Sequence, residues 1–203
     1  MITTDPAPAN PLFPLFVKAE ELSMLLIGAG PVGVEKATGI LTNSPGCKLV
    51  IVAEMVSHDM RALTERFPLM IVHERRFEES DLDGVQILIV AINNREYSKE
   101  IREMAHARNI LVNVADTPDL CDFYLGSVVR KGDLKIAIST NGKSPTVAKR
   151  MKEWLNDVIP DDIQLLLDNM RVIRSRLKTD FAQKVSHLNE ITSAMVKDNK
   201  KDE

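Results

Sequence analysis

Cysteine is almost absent from this chain. Cys47 and Cys121 stand alone with no C-x-x-C spacing, which excludes a disulfide framework and a cysteine zinc site and points to a reducing compartment, the cytoplasm. Histidine is equally sparse: His58, His73, His106 and His187 are scattered, with no i, i+4 pair and no carboxylate or cysteine at ligand spacing, so no metal site is expected. Positive charge is not in excess, with 26 basic against 29 acidic residues and a net charge of −3. That argues against nucleic-acid binding through a bulk positive field. No apolar run approaches the ~18 residues of a membrane span. The proline-rich stretch Met1–Pro14 has neither the basic n-region nor the apolar h-region of a leader, so neither membrane nor export is expected. Internal repeats and low-complexity blocks are also missing.

What remains is an ordinary globular balance, 44% hydrophobic and 27% charged residues over a length of 203. At ~150 residues per domain this is one domain plus an appendage. From Ser23 onward short aliphatic runs alternate with helix-period stretches, the grammar of βαβ units and a parallel sheet. Strands are expected at 23–28, 47–53, 69–73, 86–91 and 110–114, and helices at 31–43, 57–66 and 94–108. Right-handed crossovers bring the carboxyl ends of all these strands to one edge, where α/β sheets bind ligands.

After Asp116 the pattern changes. Ser127–Val129 and Lys135–Ser139 are strand-like runs joined by Lys131-Gly132-Asp133, a hairpin signal. Beyond Pro145 the chain reads as helix, with an interruption at Pro160 and Asp161-Asp162 placed to cap the next helical segment. An apolar stripe then runs through Ile163, Leu166, Leu167, Met170, Ile173, Leu177, Phe181, Val185, Leu188, Ile191 and Met195, ahead of a polar tail at 197–203 expected to fray. Such a stripe packs either on its own domain or on a second subunit, and a homodimer is the favoured reading.

The strongest local motif is Gly28-Ala29-Gly30-Pro31-Val32-Gly33, placed between the run Met24–Ile27 and a helix. A dinucleotide fingerprint needs its first glycine for the turn, its second for close approach of backbone to pyrophosphate and its third for helix–strand packing. Amides at the helix start then face the phosphates. About twenty residues past such a fingerprint an acidic residue takes the ribose hydroxyls, and Glu54 stands there with Met55 beside it. No Arg or Lys follows until Arg61, so a 2′-phosphate would meet an unneutralised carboxylate and NAD is favoured over NADP. Ala91, Ile92 and Asn93 supply small and polar groups at the same edge, suited to backbone contact with the cofactor.

The order Gly28-Ala29-Gly30-Pro31-Val32, Ala91-Ile92-Asn93-Asn94, Val112-Asn113-Val114-Ala115-Asp116, Leu120-Cys121-Asp122-Phe123 and Ile136–Pro145 resembles the precorrin-2 dehydrogenase family, whose members stand alone or form the N-terminal part of siroheme synthases. The resemblance implies NAD-dependent oxidation of precorrin-2 to sirohydrochlorin and, for some members, insertion of ferrous iron as a second substrate to give sirohaem. It also implies a homodimer built from the insert and the helical tail. The division expected is 1–125 for a Rossmann-like NAD-binding domain with helices on both faces, 126–158 for a small antiparallel dimerisation and substrate-binding insert, and 159–203 for a C-terminal helical region. Departures from the family pattern include Ala29 within the usual glycine triplet, Glu35 before Lys36, Gly126 and Asn141.

Asp116 matches the family's catalytic carboxylate and follows the fifth strand at the ligand edge. A carboxylate there can accept a proton or stabilise developing positive charge; Asp-Thr-Pro is also ordinary Asx-turn chemistry. Asp122 is read as a cap or the partner of a nearby cation, and Cys121 as a small buried hydrophobe. The tetrapyrrole implied as substrate carries many carboxylates. The polar loop Ser139, Thr140, Asn141, Lys143 and Ser144 before Pro145 is expected to bind it, within a basic stretch holding Arg130, Lys131, Lys135, Lys149, Arg150 and Lys152 against Asp133 alone. The competing reading is an NAD(H)-sensing regulatory module that signals through its helical tail.

Overall fold

The protein is described by a computed structural model over residues 10–177 and 181–193, without the side chains of Phe181 and Ala182. Residues 1–9 of the proline-rich stretch, Met195 of the apolar stripe and the tail 197–203 lie outside the described residues.

Five strands, β1 (Met24–Ala29), β2 (Leu49–Val56), β3 (Ile71–Glu74), β4 (Ile87–Val90) and β5 (Leu111–Val114), form one parallel sheet in the order β3-β2-β1-β4-β5. β1 is buried along its whole length because it is the central strand. Its alternate side chains divide the core. Met24 and Leu26 pack with Ala37, Ile40 and Leu41 of α1 (Pro31–Asn43) and Met60 of α2 (His58–Arg66), whereas Leu25 and Ile27 pack with Ile101 and Ala105 of α3 (Arg95–His106). Period-two alternation therefore sends one set to each face, and helices cover both. The chain winds one way from β1 through β3 and the other way through β4 and β5. This creates a topological switch point between β1 and β4.

The helix boundaries follow from capping chemistry. α1 starts at Pro31, whose fixed φ and missing N–H suit a first helical position. Ser57 Oγ accepts from Met60 N at 3.2 Å and Asn94 Oδ1 from Tyr97 N at 3.1 Å, so these residues sit just outside α2 and α3 as caps. α3 stops short of the expected 108 because Asn109 turns left-handed at φ 58°. β2 runs to Val56, so Glu54 and Met55 lie within the strand rather than after it.

The chain separates into two compact units, one taking in the chain up to Ser127 together with Ser139–Ala148, the other Val128–Ile138 and the chain from Lys149 on. β6 (Ser127–Lys131) and β7 (Leu134–Ile138) pair across a two-residue turn, with Gly132 at φ 58°. Three helices follow: α4 (Pro145–Val158), α5 (Ile163–Arg176) and α6 (Phe181–Thr192). In the second unit Gln164 grips the hairpin turn, its Oε1 accepting from Asp133 N at 2.7 Å and its Nε2 donating to Asp133 Oδ2 at 3.0 Å.

This docking corrects the capping expectation at Asp161-Asp162. Asp162 stands at the N-cap of α5 without a side-chain cap, and Asp161 pairs with Lys131 instead. The helical stretch also breaks at Leu177, whose ψ of 111° ends α5. No residue of α5 is buried. Apolar Val147, Met151, Trp154 and Val158, spaced by four, three and four, lie exposed along α4. Among the described residues no helix is long and apolar enough to cross a membrane.

Candidate nucleotide and substrate site

The three glycines at the end of β1 do three different jobs. Gly28 has φ 107°, and a Cβ there would stand 2.4 Å from the carbonyl oxygen of Ala91, so the loops after β1 and β4 touch at this point. A Cβ on Gly33 would fall 2.2 Å from Gly28 O, which lets α1 rest directly against the strand end. A Cβ on Gly30 would meet nothing within 4 Å. Gly30 is extended, at φ −79°, and supplies no side-chain cap to α1, which has no acidic residue in its first turn. The space over Gly30 and the uncapped helix start therefore offer a backbone cradle to an anion, in the place a pyrophosphate would occupy. Pro31, Val32 and Gly33 form that first turn.

Ala91 and Ile92 are half-buried beside the cradle, and Asn93 is exposed. Ala91 N donates to Ile27 O at 2.8 Å, which fixes the β4 end against β1. On the other side of β1, Glu54 and Met55 are exposed near the end of β2. Glu54 Oε1 lies 3.4 Å from Arg76 Nε. Arg76 lies well beyond Arg61 along the chain, so sequence distance gives no sign that it neighbours Glu54. The pairing of Ala53 with Glu74 across β2 and β3 brings Arg76 alongside.

Asp116 follows β5 with a left-handed backbone, φ 55°, and an exposed side chain. The turn is closed without it, by Thr117 N donating to Val114 O at 3.2 Å and Thr117 Oγ1 to Ala115 O at 3.2 Å. An Asx turn is thus not what holds Asp116. Among the described residues its carboxylate has no hydrogen-bond or ion-pair partner.

The segment around Asp116 is pinned by groups the sequence left without a role. Cys121 is half-buried and its Sγ donates to Val114 O at 3.1 Å and Thr117 O at 3.3 Å, while Val114 N reaches the sulfur at 3.3 Å. Burial pushes this thiol above its ordinary pKa, so it stays protonated and able to donate. Asp122 Oδ2 accepts from Val112 N at 2.9 Å and lies 2.8 Å from His106 Nε2, while its Oδ1 is 3.4 Å from Arg102. Arg102 Nε also donates to Leu120 O at 3.1 Å. Asp122 is therefore a cation partner, as its sequence context suggested. Cys121 is not the plain hydrophobe expected: a half-buried thiol among carbonyls hydrogen-bonds, which composition does not reveal. From the other side Arg95 reaches Asp119 with contacts of 2.5 and 3.2 Å, and this guanidinium holds the Asp119 carboxyl below the usual carboxylate range.

The loop Ser139–Ser144 belongs to the same compact unit as the glycine cradle. Asn141 and Gly142 are left-handed, φ 54° and 73°, and the loop is closed by Ser144 N donating to Thr140 Oγ1 at 3.1 Å and Asn141 N to Ser139 Oγ at 3.2 Å. Ser144 Oγ accepts from Val147 N at 3.2 Å and so caps α4. Lys143 is exposed. Of the neighbouring basic residues, Lys131 is spent on Asp161 and Arg150 on Glu153.

A groove of about 710 Å³, whose lining includes Arg130, Lys131, Asn156, Asp157 and Asp161, lies wholly in the second unit, and another of about 610 Å³ runs between α2 and β3. Neither is lined by Gly30, Ala91 or Asp116. Among the described residues no three His, Cys, Asp or Glu side chains gather closely enough to hold a metal ion.

A family described as putative NAD(P)-binding matches residues 15–127, and one described as the central part of sirohaem biosynthesis proteins matches 131–157. The chain belongs to this NAD(P)-binding family, and its residues 131–157 are similar to the central part of sirohaem-biosynthesis proteins. It is 32% identical over 169 residues to a siroheme synthase of Pseudoalteromonas atlantica and 33% identical over 148 residues to one of Psychrobacter cryohalolentis. These alignments cover 83% and 73% of this chain but only 36% and 28% of those proteins, so the chain spans about a third of their length. A solved structure of SirC, a precorrin-2 dehydrogenase, superposes with a TM-score of 0.72 at 25% identity and 89% coverage of both chains. The Rossmann-like sheet, the small two-stranded sheet and the C-terminal helices expected from the sequence are all present.

Proposed function

We propose that the protein is an NAD-dependent precorrin-2 dehydrogenase, converting precorrin-2 to sirohydrochlorin. The observation that carries this reading is the similarity to SirC over 89% of both chains, second unit included. A signalling module has no comparable support, since that structural relative is named as a dehydrogenase.

The residues present fit a dinucleotide. Gly30 leaves open the volume that any side chain would fill, Gly28 makes the turn before it, and Pro31, Val32 and Gly33 form the first helical turn after it. Glu54 is offered to the ribose hydroxyls, Met55 is exposed beside it, and Ala91, Ile92 and Asn93 face the switch point. Bound NAD supplies the hydride acceptor. The matching proton leaves the macrocycle for a base, and the unpartnered carboxylate of Asp116 fills that role. Ser139, Thr140, Asn141, Lys143 and Ser144 contribute donors and one cation for the carboxylates of the tetrapyrrole.

Ferrous iron enters as a second substrate. The tetrapyrrole supplies four nitrogens and Asp116 serves again as the acceptor of the displaced protons, so no preformed metal site is required. The protein acts in the cytoplasm, where two unpaired thiols suit the reducing conditions, and as a homodimer that covers the exposed apolar line of α4.

The test is an anaerobic assay with enzymatically generated precorrin-2 and NAD, following NADH and sirohydrochlorin by absorbance, then adding ferrous iron. Equal yields of NADH and sirohydrochlorin support the dehydrogenase, and sirohaem formed above the protein-free rate supports chelation. No NADH from folded protein that binds NAD would reject the reading.

A further inference from the structure

At the carboxyl ends of β2 and β3 three arginines face three carboxylates, and two of the pairs are closed. Arg75 grips Asp81 through two contacts of 2.5 and 2.8 Å, with the carboxylate only 11% exposed, and holds its carboxyl below the usual range. Arg61, from α2, meets Glu74 at 2.5 Å, and Glu74 is held further by Val56 N at 3.3 Å. The third pair is different. Arg76 and Glu54 share one contact at 3.4 Å, with side chains 83% and 64% exposed. Such an ion pair is readily exchanged for a better partner. Glu54 is also the carboxylate that the nucleotide's ribose would claim, so the arginine beside it stands within reach of whatever substituent the ribose carries at its 2′ position.

We propose that Arg76 is a latent 2′-phosphate site, and that the preference for NAD over NADP is set by Glu54 occupying it. This rests on the nucleotide reading of the crevice. Glu54 acts twice: it accepts from the ribose hydroxyls of NAD, and it both repels a 2′-phosphate and neutralises Arg76, the arginine of these three whose ion pair is loosest. Removing the charge at position 54 while keeping its size frees Arg76 to pair with the phosphate dianion, a charge-assisted contact for which the guanidinium fork is well shaped.

The experiment is calorimetric titration of the full chain with NADH and with NADPH, for the wild type, Glu54→Gln, Glu54→Gln/Arg76→Ala and Glu54→Gln/Arg76→Lys, with circular dichroism to confirm folding. Both residues are exposed and outside the core, so these variants are expected to fold. Wild type is expected to favour NADH. Glu54→Gln should weaken NADH by roughly tenfold or more, as expected for loss of an ionic hydrogen bond, and strengthen NADPH by about tenfold. Adding Arg76→Ala should abolish that gain and Arg76→Lys should keep part of it, with the gain shrinking as salt rises. If the wild type binds NADH but Glu54→Gln gains no affinity for NADPH, or the gain survives Arg76→Ala, the Arg76 site is refuted while the nucleotide reading stands. If the wild type binds neither dinucleotide, both fall.

Discussion

The three glycines of one short motif are constrained by different neighbours, so replacing each by alanine should fail in a different way. At Gly30 the backbone is extended and an added methyl meets nothing within 4 Å. Alanine there restricts the unfolded chain, a gain of ~0.4–1 kcal/mol, and is a poorer N-cap by a similar amount. The apo-protein should therefore melt within a few degrees of wild type. Its affinity for NADH should fall by about 10- to 100-fold, because the methyl occupies the volume through which backbone and pyrophosphate approach. At Gly33 the new Cβ would lie 2.2 Å from the carbonyl oxygen of Gly28, a backbone atom of the central strand. Helix and strand must separate by about 1 Å, and overpacking of that kind costs ~1–3 kcal/mol. At 2–4 °C per kcal/mol for a protein of this size, Gly33→Ala should lower Tm by up to ~10 °C. Gly28→Ala adds an unfavourable φ of 107° to a 2.4 Å clash and should be at least as damaging. Thermal melts of the three apo-variants, followed by NADH titration of those that fold, separate the effects. A Gly30→Ala variant as unstable as Gly33→Ala, or one that binds NADH normally, would refute the assignment of these roles.

Asp116→Asn keeps a residue that tolerates φ 55° but removes the proton acceptor; turnover of precorrin-2 should fall by about 100-fold or more with NADH affinity unchanged, and undiminished turnover would remove Asp116 from the chemistry. Asp122→Ala strips Val112 N, Arg102 and His106 of a shared acceptor and should cost ~1–3 kcal/mol in urea unfolding; a neutral change would show that the clamp carries no stability. Arg95 lowers the Asp119 carboxyl in the folded state, so this pair contributes fully above the ordinary aspartate value of ~3.9 and its contribution is lost as pH falls below that value through the folded one. Unfolding measured against pH should therefore show a steeper acid-side loss in wild type than in Arg95→Ala, and identical slopes would contradict the pairing. Met151→Asp with Trp154→Asp places two charges on the exposed apolar line of α4 and should yield monomers by sedimentation; a dimer persisting at low micromolar concentration would locate the interface elsewhere.

How legible each feature was depended on whether its cause is local. The glycine fingerprint, Pro31 and the caps Ser57 and Asn94 act on neighbouring residues, so the starts of α1, α2 and α3 follow from the sequence within a residue. The sheet order was legible only as a class, because alternating strands and helices imply a parallel sheet but not which strands adjoin. Arg76 shows the consequence. It is near Glu54 only because β3 lies beside β2 in register, and counting along the chain could not reveal it. Asp161 was misassigned for the same reason: a carboxylate before a helix looks like a cap until a lysine thirty positions away takes it. Cys121 is the subtler case, since its acceptors are backbone carbonyls of β5 and the following turn, set by the fold rather than by residue type.

Three non-glycine residues among those described have left-handed backbones, Asn109, Asp116 and Asn141. Asn109 has an architectural reason, since it ends α3 and returns the chain to β5. The other two have none of that kind. Asp116 closes no turn with its side chain, and Asn141 sits in the middle of a loop already closed by Thr140 and Ser144. Left-handed conformations of non-glycine residues persist where the surroundings over-determine them. At Asp116 those surroundings are explicit: the Cys121 thiol, the Asp122 carboxylate and the Arg95–Asp119 pair hold the segment on both sides. Among the described residues the Asp116 carboxylate itself stays exposed, with no hydrogen-bond or ion-pair partner. With Asp116 as the proposed base, holding its segment in place before substrate arrives would lower the entropic barrier to proton transfer.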